Sequence, residues 1–166
     1  MNCYYEILSK SVLTQELIDI ANDSDPWVSY YYFNLKLVPR EFLPKDPFLK
    51  WLASEYEFNI GILKLDPYVC YDWHTDSRRG VSINMLLTIE ARSTCVFSKH
   101  KQGVVFSIEE LIYKPDTYYA FNTQIPHTVY NFETTRYLLS IEFIKDSANL
   151  SFNHIMEDID KNYRLT

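Results

Sequence analysis

The sequence predicts a mostly β protein: an antiparallel sandwich or barrel buttressed on one face by helices. Three observations lead there. From Asn59 onward, short runs rich in Val, Ile, Tyr, Phe and Thr alternate with turn residues at strand-like intervals. Two amphipathic helical stretches come before those runs, and a third lies only in the C-terminal tail. Glycine is scarce: Gly61, Gly80 and Gly103 stand far apart, which excludes a phosphate-cradling loop or a dinucleotide fingerprint, since both need closely spaced glycines. With 166 residues, 47% hydrophobic and 16% aromatic, the chain has enough apolar surface for one packed domain, 1–166, and is not a disordered one.

The elements follow in order. Thr14 to Ala21 reads as a helix, with Thr14 as its cap, Glu16 in its first turn and apolar residues at helical spacing. Val28 to Val38 is rich in Tyr and Phe and reads as one strand. Asp46-Pro47 opens a second helix, because Asp caps and Pro is tolerated at the first helical position; Phe48, Trp51, Leu52 and Tyr56 form its buried stripe. Eight strands are then expected: Ile60–Leu65, Val69–Trp73, Val81–Ile89, Thr94–Phe97, Val104–Ser107, Thr117–Phe121, His127–Phe132 and Arg136–Ile144. The tail adds a short helix around His154 to Ile159.

A net charge of -6 gives an average field that repels nucleic acid, and the basic clusters Arg78-Arg79 and Lys99-His100-Lys101 are too short to reverse it. Cys3, Cys70 and Cys95 are too few and scattered for a disulfide framework or a zinc knuckle and read as buried free thiols. The first residues lack a signal-peptide pattern and no run approaches membrane-spanning length, so the expected setting is cytoplasmic with no membrane partner.

Ionisable residues interrupt this apolar texture in a pattern that suggests chemistry. At the end of a strand, alternation sends His74 and Asp76 to one face. Of the remaining histidines, His100 lies in a polar loop and His154 in the polar tail, leaving His127 as the inward partner. Two imidazoles and one carboxylate on one face of a metal form the triad of non-haem Fe(II) oxygenases, with three coordination positions open. Arg136 follows His127 by nine residues, and the turn Glu133-Thr134-Thr135 predicts adjacent antiparallel strands for the two. Arg136, Leu138 and Ser140 then share a face; an inward Arg needs a carboxylate, and a dicarboxylic cosubstrate supplies one. Two other readings of the same residues stand: a cupin-like metal-binding barrel that uses no 2-oxoglutarate, and a metal-free β-sandwich interaction module with Arg136 exposed.

In order and spacing, His74, Asp76, His127 and Arg136 resemble the motif of the Fe(II)- and 2-oxoglutarate-dependent oxygenases, over roughly residues 58–145. The compact length is similar to the prolyl hydroxylase-like and aspartyl/asparaginyl hydroxylase-like members. The resemblance implies a double-stranded β-helix (jelly-roll) core with N-terminal buttressing helices. It implies Fe(II) on His74, Asp76 and His127, 2-oxoglutarate on Arg136, O₂ as oxidant and ascorbate as supporting reductant. Ser140, Asn84 and Tyr71 become the candidates for further cosubstrate contacts. Ser140 lies four residues after the Arg, where many relatives have Ser or Thr two after it. Asp76 stands where related halogenases have a small residue, which argues against halogenation. The substrate expected is a peptide or protein side chain, or a small molecule such as a free amino acid, hydroxylated with release of succinate and CO₂.

Overall fold

The computed structural model describes residues 2–90, 92–144 and 149–163. Two antiparallel sheets face one another in a jelly roll. In chain order the strands are β1 (Tyr4–Lys10), β2 (Val28–Tyr30), β3 (Phe33–Leu37), β4 (Phe58–Leu65), β5 (Cys70–His74) and β6 (Val81–Leu86). They continue with β7 (Ser93–Lys101), β8 (Val104–Leu111), β9 (Thr117–Asn122), β10 (His127–Asn131) and β11 (Arg136–Phe143). The larger sheet runs β1-β9-β6-β11-β4-β3-β2 and the smaller runs β5-β10-β7-β8.

Helices α1 (Thr14–Asn22), α2 (Pro47–Glu55) and α3 (Phe152–Asp158) supply the rest of one core, around Phe48, Leu52, Ile62, Ile83, Leu139 and Ile141. A second core fills the space between the sheets, around Leu65, Cys95, Phe97, Tyr119, Phe121 and Val129. Strand β11 serves both. Leu139, Ile141 and Phe143 join the helix-side core, so alternation turns Arg136, Leu138 and Ser140 to the other face, between the sheets. That partition is what brings a cationic side chain inside.

Asp46 caps α2 as its sequence suggests. Oδ1 accepts from the backbone N–H of Phe48 and Leu49 at 3.0 and 3.1 Å, while Oδ2 accepts from the Tyr118 hydroxyl at 3.0 Å. Thr14 begins α1 instead of capping it, and its hydroxyl donates to Asp116 Oδ1 at 2.6 Å.

Several expectations need correcting. The aromatic run Val28 to Val38 is a hairpin, β2 and β3, because Tyr31 takes a positive φ of 52° and turns the chain. Strand β1 has no counterpart among the expected strands; its residues, Tyr-Tyr-Glu-Ile-Leu-Ser-Lys, show no clean alternation. Lys99, His100 and Lys101 end strand β7 rather than forming a loop, and β8 extends to Leu111. Cys3 and Cys95 are buried free thiols, but Cys70 is exposed. His127 and Arg136 do not sit on paired strands: β10 belongs to the smaller sheet and β11 to the larger. The segment between them crosses from one sheet to the other, tied by Asn131 Nδ2, which donates to Asp66 O and Thr134 O at 2.8 Å each. No helix among the described residues is long and apolar enough to cross a membrane.

Candidate metal centre

His74 ends β5 and His127 begins β10, and the two are direct cross-strand partners. Their ring centroids lie 4.2 Å apart. The Nδ1 atom of each ring meets a backbone carbonyl two residues back in sequence: Asp72 O at 2.6 Å for His74 and Ile125 O at 2.9 Å for His127. A carbonyl only accepts, so each Nδ1 carries a proton, and it is Nε2 that holds the lone pair of the neutral ring. The ligating atoms of His74, Asp76 and His127 all lie within 4.8 Å of one another, and His74 Nε2 is 3.9 Å from Asp76 Oδ1. Among the described residues no other three His, Cys, Asp or Glu side chains converge in this way.

Register explains the convergence. His127 pairs with His74, yet Val129 pairs with Tyr71, so β5 carries one extra residue between those pairs. This bulge lets Tyr71 and His74, three apart, line the same cleft. Their rings lie 3.9 Å apart. His127 is buried, and that desolvation, with the adjacent His74 imidazole adding to it, pushes its pKa down to about 4. Its imidazole is therefore neutral at pH 7, as a metal ligand must be.

Asp76 arrives by a turn after β5. Arg79 Nε donates to its Oδ2 at 2.7 Å, leaving Oδ1 toward the histidines. The turn is fastened to the segment preceding His127. Asp76 N–H donates to Thr123 O at 3.0 Å; Gln124 Nε2 donates to Asp76 O and Arg79 O at 2.7 and 2.8 Å; Thr123 Oγ1 donates to Arg79 O at 2.6 Å.

Arg136 lies deeper, 1% exposed. Its Nε donates to Ser93 Oγ at 3.2 Å and its Nη2 to Tyr113 Oη at 3.0 Å. Nη1 has no partner, and among the described residues no carboxylate pairs with this guanidinium. A buried cation with an orphaned donor is costly unless an anion completes it. Burial holds the Tyr113 hydroxyl far above its ordinary pKa, so it stays protonated. Its oxygen accepts from Arg136, and the same hydroxyl also bonds the neighbouring Cys95 thiol.

Ser140 is not at this guanidinium. Four residues on a strand span about 13 Å, and Ser140 instead lines a cleft of about 510 Å³ with Tyr30, Tyr31, Tyr71, His74 and Asp76. Asn84 is buried directly across from Ser140 in register, and its Nδ2 donates to Ser82 Oγ at 2.9 Å. Ser93 and Tyr113, which do reach Arg136, escaped the sequence reading: they begin β7 and follow β8, and only the packing of one sheet on the other brings them to β11.

No protein-family model matches the sequence, and no curated protein matches it. Solved structures do. A prolyl hydroxylase from Trichoplax adhaerens, in complex with a peptide fragment of the hypoxia inducible factor oxygen degradation domain, has a TM-score of 0.64 at 14% identity, covering 91% of this chain and 88% of its own. A prolyl-4-hydroxylase from Pseudomonas putida has a TM-score of 0.60 at 14% identity, covering 86% of this chain and 92% of its own. The fold is that of the Fe(II)/2-oxoglutarate oxygenases. A third match, the non-haem α-ketoglutarate-dependent epimerase SnoN from nogalamycin biosynthesis, has a TM-score of 0.59 at 10% identity, covering 84% of this chain and 77% of its own. Prolyl hydroxylases and an epimerase thus share this oxygenase fold, so the fold alone does not choose the reaction.

Proposed function

We propose that this chain is an Fe(II)- and 2-oxoglutarate-dependent dioxygenase that hydroxylates a peptide or protein side chain, or a free amino acid, releasing succinate and CO₂. One observation carries the reading: lone-pair donors converge at one end of the space between the sheets, and an unneutralised guanidinium waits deeper inside. A metal cation suits the first and a carboxylate the second. A dicarboxylate that chelates a metal through a 2-oxo acid group has both ends.

In this reading His74, Asp76 and His127 hold Fe(II), and Arg136 with Tyr113 and Ser93 holds the distal carboxylate of 2-oxoglutarate. Iron and 2-oxoglutarate, when bound, supply the oxidising chemistry: O₂ is consumed, the cosubstrate loses CO₂ to become succinate, and one oxygen enters a substrate C–H bond. The protein's share is position and exclusion. The two pinned Nδ1 atoms keep both imidazoles aimed, and Tyr71 packs on His74 to limit its rotation. Phe97 packs beside His127, with Phe121 against Phe97 in turn, and together they keep water from the deep end. Tyr71 and Ser140 face the cleft and meet the substrate or the near end of the cosubstrate, and Asn84 shapes the wall beside them. The similarity to a prolyl hydroxylase in complex with a peptide fits a peptide substrate.

Anaerobic titration of the apo chain with Fe(II), with and without 2-oxoglutarate, tests the cofactor half. A weak visible charge-transfer band requiring both components is the expected result; metal binding indifferent to 2-oxoglutarate would favour a cupin-like protein. Incubation with iron, ascorbate, 2-oxoglutarate and a peptide library should then yield a product heavier by one oxygen. Succinate release driven only by free amino acids would remove the peptide from the proposal.

A further inference from the structure

Asp76 has a neighbour whose role the triad does not explain. Arg79 spends its Nε on Asp76 Oδ2 at 2.7 Å, the carboxylate oxygen turned away from His74. Its side chain lies at the cleft wall, where exposure to solvent would ordinarily leave an arginine mobile. Here the backbone beneath it is fixed from two sides. The Arg79 carbonyl accepts from both Thr123 Oγ1 and Gln124 Nε2. The next residue, Gly80, lies so close to Leu150 O that a Cβ would approach it to 2.6 Å, and it bridges to Ser151. Four hydrogen bonds join the Asp76–Arg79 turn to Thr123 and Gln124, immediately before His127. Nothing in substrate binding requires so rigid a platform, whereas aiming a carboxylate does.

We infer that Arg79 is a positioning residue that restricts Asp76 to a one-oxygen ligand and thereby keeps a coordination position open. The inference rests on the oxygenase reading above. Its logic is a count. Two imidazoles and one carboxylate oxygen take three of the six positions of an octahedral ion; a chelating 2-oxo acid takes two more and leaves one. A carboxylate free to swing would bind through both oxygens, as carboxylates readily do, and would occupy that last position. The charge-assisted bond from Arg79 holds Oδ2 back, and the strand-to-strand clasp holds Arg79.

Nitric oxide is the probe, because it binds iron at a vacant position and gives a half-integer-spin resonance signal. Wild type, Arg79→Gln and Arg79→Lys are loaded anaerobically with Fe(II) and 2-oxoglutarate, and each is titrated with nitric oxide. We expect a full signal for wild type and at least a tenfold loss for Arg79→Gln, with the 2-oxoglutarate charge-transfer band retained. Arg79→Lys, which keeps the charge but lacks the Nε geometry, should fall between them. Circular dichroism identifies a variant that has not folded; in that event Gln124→Ala, which loosens the clasp and leaves Arg79 in place, should show a smaller loss of the same kind. A wild-type nitrosyl signal in folded Arg79→Gln overturns the inference, as does loss of iron binding in step with the signal, which would make Arg79 a support for the whole site. Absence of the charge-transfer band in wild type would instead bring down the oxygenase reading itself.

Discussion

The two ends of the space between the sheets are built on opposite terms. At the His74–His127 end both Nδ1 atoms and Asp76 Oδ2 are satisfied by protein, and what remains are the lone pairs of the three converging ligand atoms. At the Arg136 end the guanidinium is sealed from solvent and one of its nitrogens has no partner. The first end tolerates water and wants a cation; the second excludes water and wants an anion. Neither need be filled by protein, and a single metal-chelating dicarboxylate meets both. The contrast shows that an incomplete hydrogen-bond set can be as informative about a ligand as a complete constellation.

The largest effect is expected at the open end. Asp76→Ala removes a charged ligand at a partly exposed turn, so succinate release should fall by more than about a hundredfold while circular dichroism and the thermal midpoint stay close to wild type. Substantial residual turnover would show that another group completes the site.

Acid should separate the ends without mutation. In the metal-free chain His127 titrates at about 4, against an ordinary value of 6.5 in the unfolded chain. Between those values the unfolded chain takes up a proton that the folded chain refuses, so stability must fall as pH drops from 6.5 toward 4. The loss is about 2–3 kcal/mol, from roughly 1.4 kcal/mol for each pH unit crossed, with allowance for relaxation of a buried group. Urea midpoints across that range, compared with those of His127→Asn, measure it. Equal slopes for the two proteins would place the proton elsewhere.

These tests also bear on what the chain's letters could reveal. Alternation along β11 grouped Arg136 with Leu138 and Ser140 but left open which way that face looks; the packing of Leu139, Ile141 and Phe143 against the helices is what turns it between the sheets. The His74, Asp76 and His127 trio was legible because there were few histidines to choose from, although Asp76 reaches it by a turn beyond β5 and not by strand alternation. The partners of Arg136 were not. Ser93 comes from the other sheet and Tyr113 from the segment after its edge strand β8, and no local period encodes how two sheets stack. The pairing of His127 with Arg136 strands failed for the same cause: a short turn reads as a hairpin, and only Asn131 bonding across to Asp66 and Thr134 reveals a crossing.

At the sealed end, Arg136→Lys keeps the charge but loses the planar fork, and should raise the KM for 2-oxoglutarate by about ten- to a hundredfold, the worth of a bidentate charged contact of roughly 1.5–3 kcal/mol. Iron affinity measured without cosubstrate should hold. Equal losses in both would mean that the ends are not independent.

Tyr113→Phe is the finest test, since it removes one hydroxyl and leaves the ring under the guanidinium. A three- to tenfold rise in the same KM is expected for one neutral hydrogen bond of about 1 kcal/mol. No change at all would assign the anion to Arg136 and Ser93 alone.

The extra residue in β5 has a further consequence. Asp72 and Trp73 both lie exposed on that strand, so their side chains are open to replacement at little cost to packing. The bulge is not. In a regular ladder over the same number of residues, alternation from Tyr71 would turn His74, three residues on, to the outer surface. This stretch should therefore accept substitutions that leave the bulge in place: what it contributes is a half-turn of the strand, set by backbone register rather than by the side chains it carries.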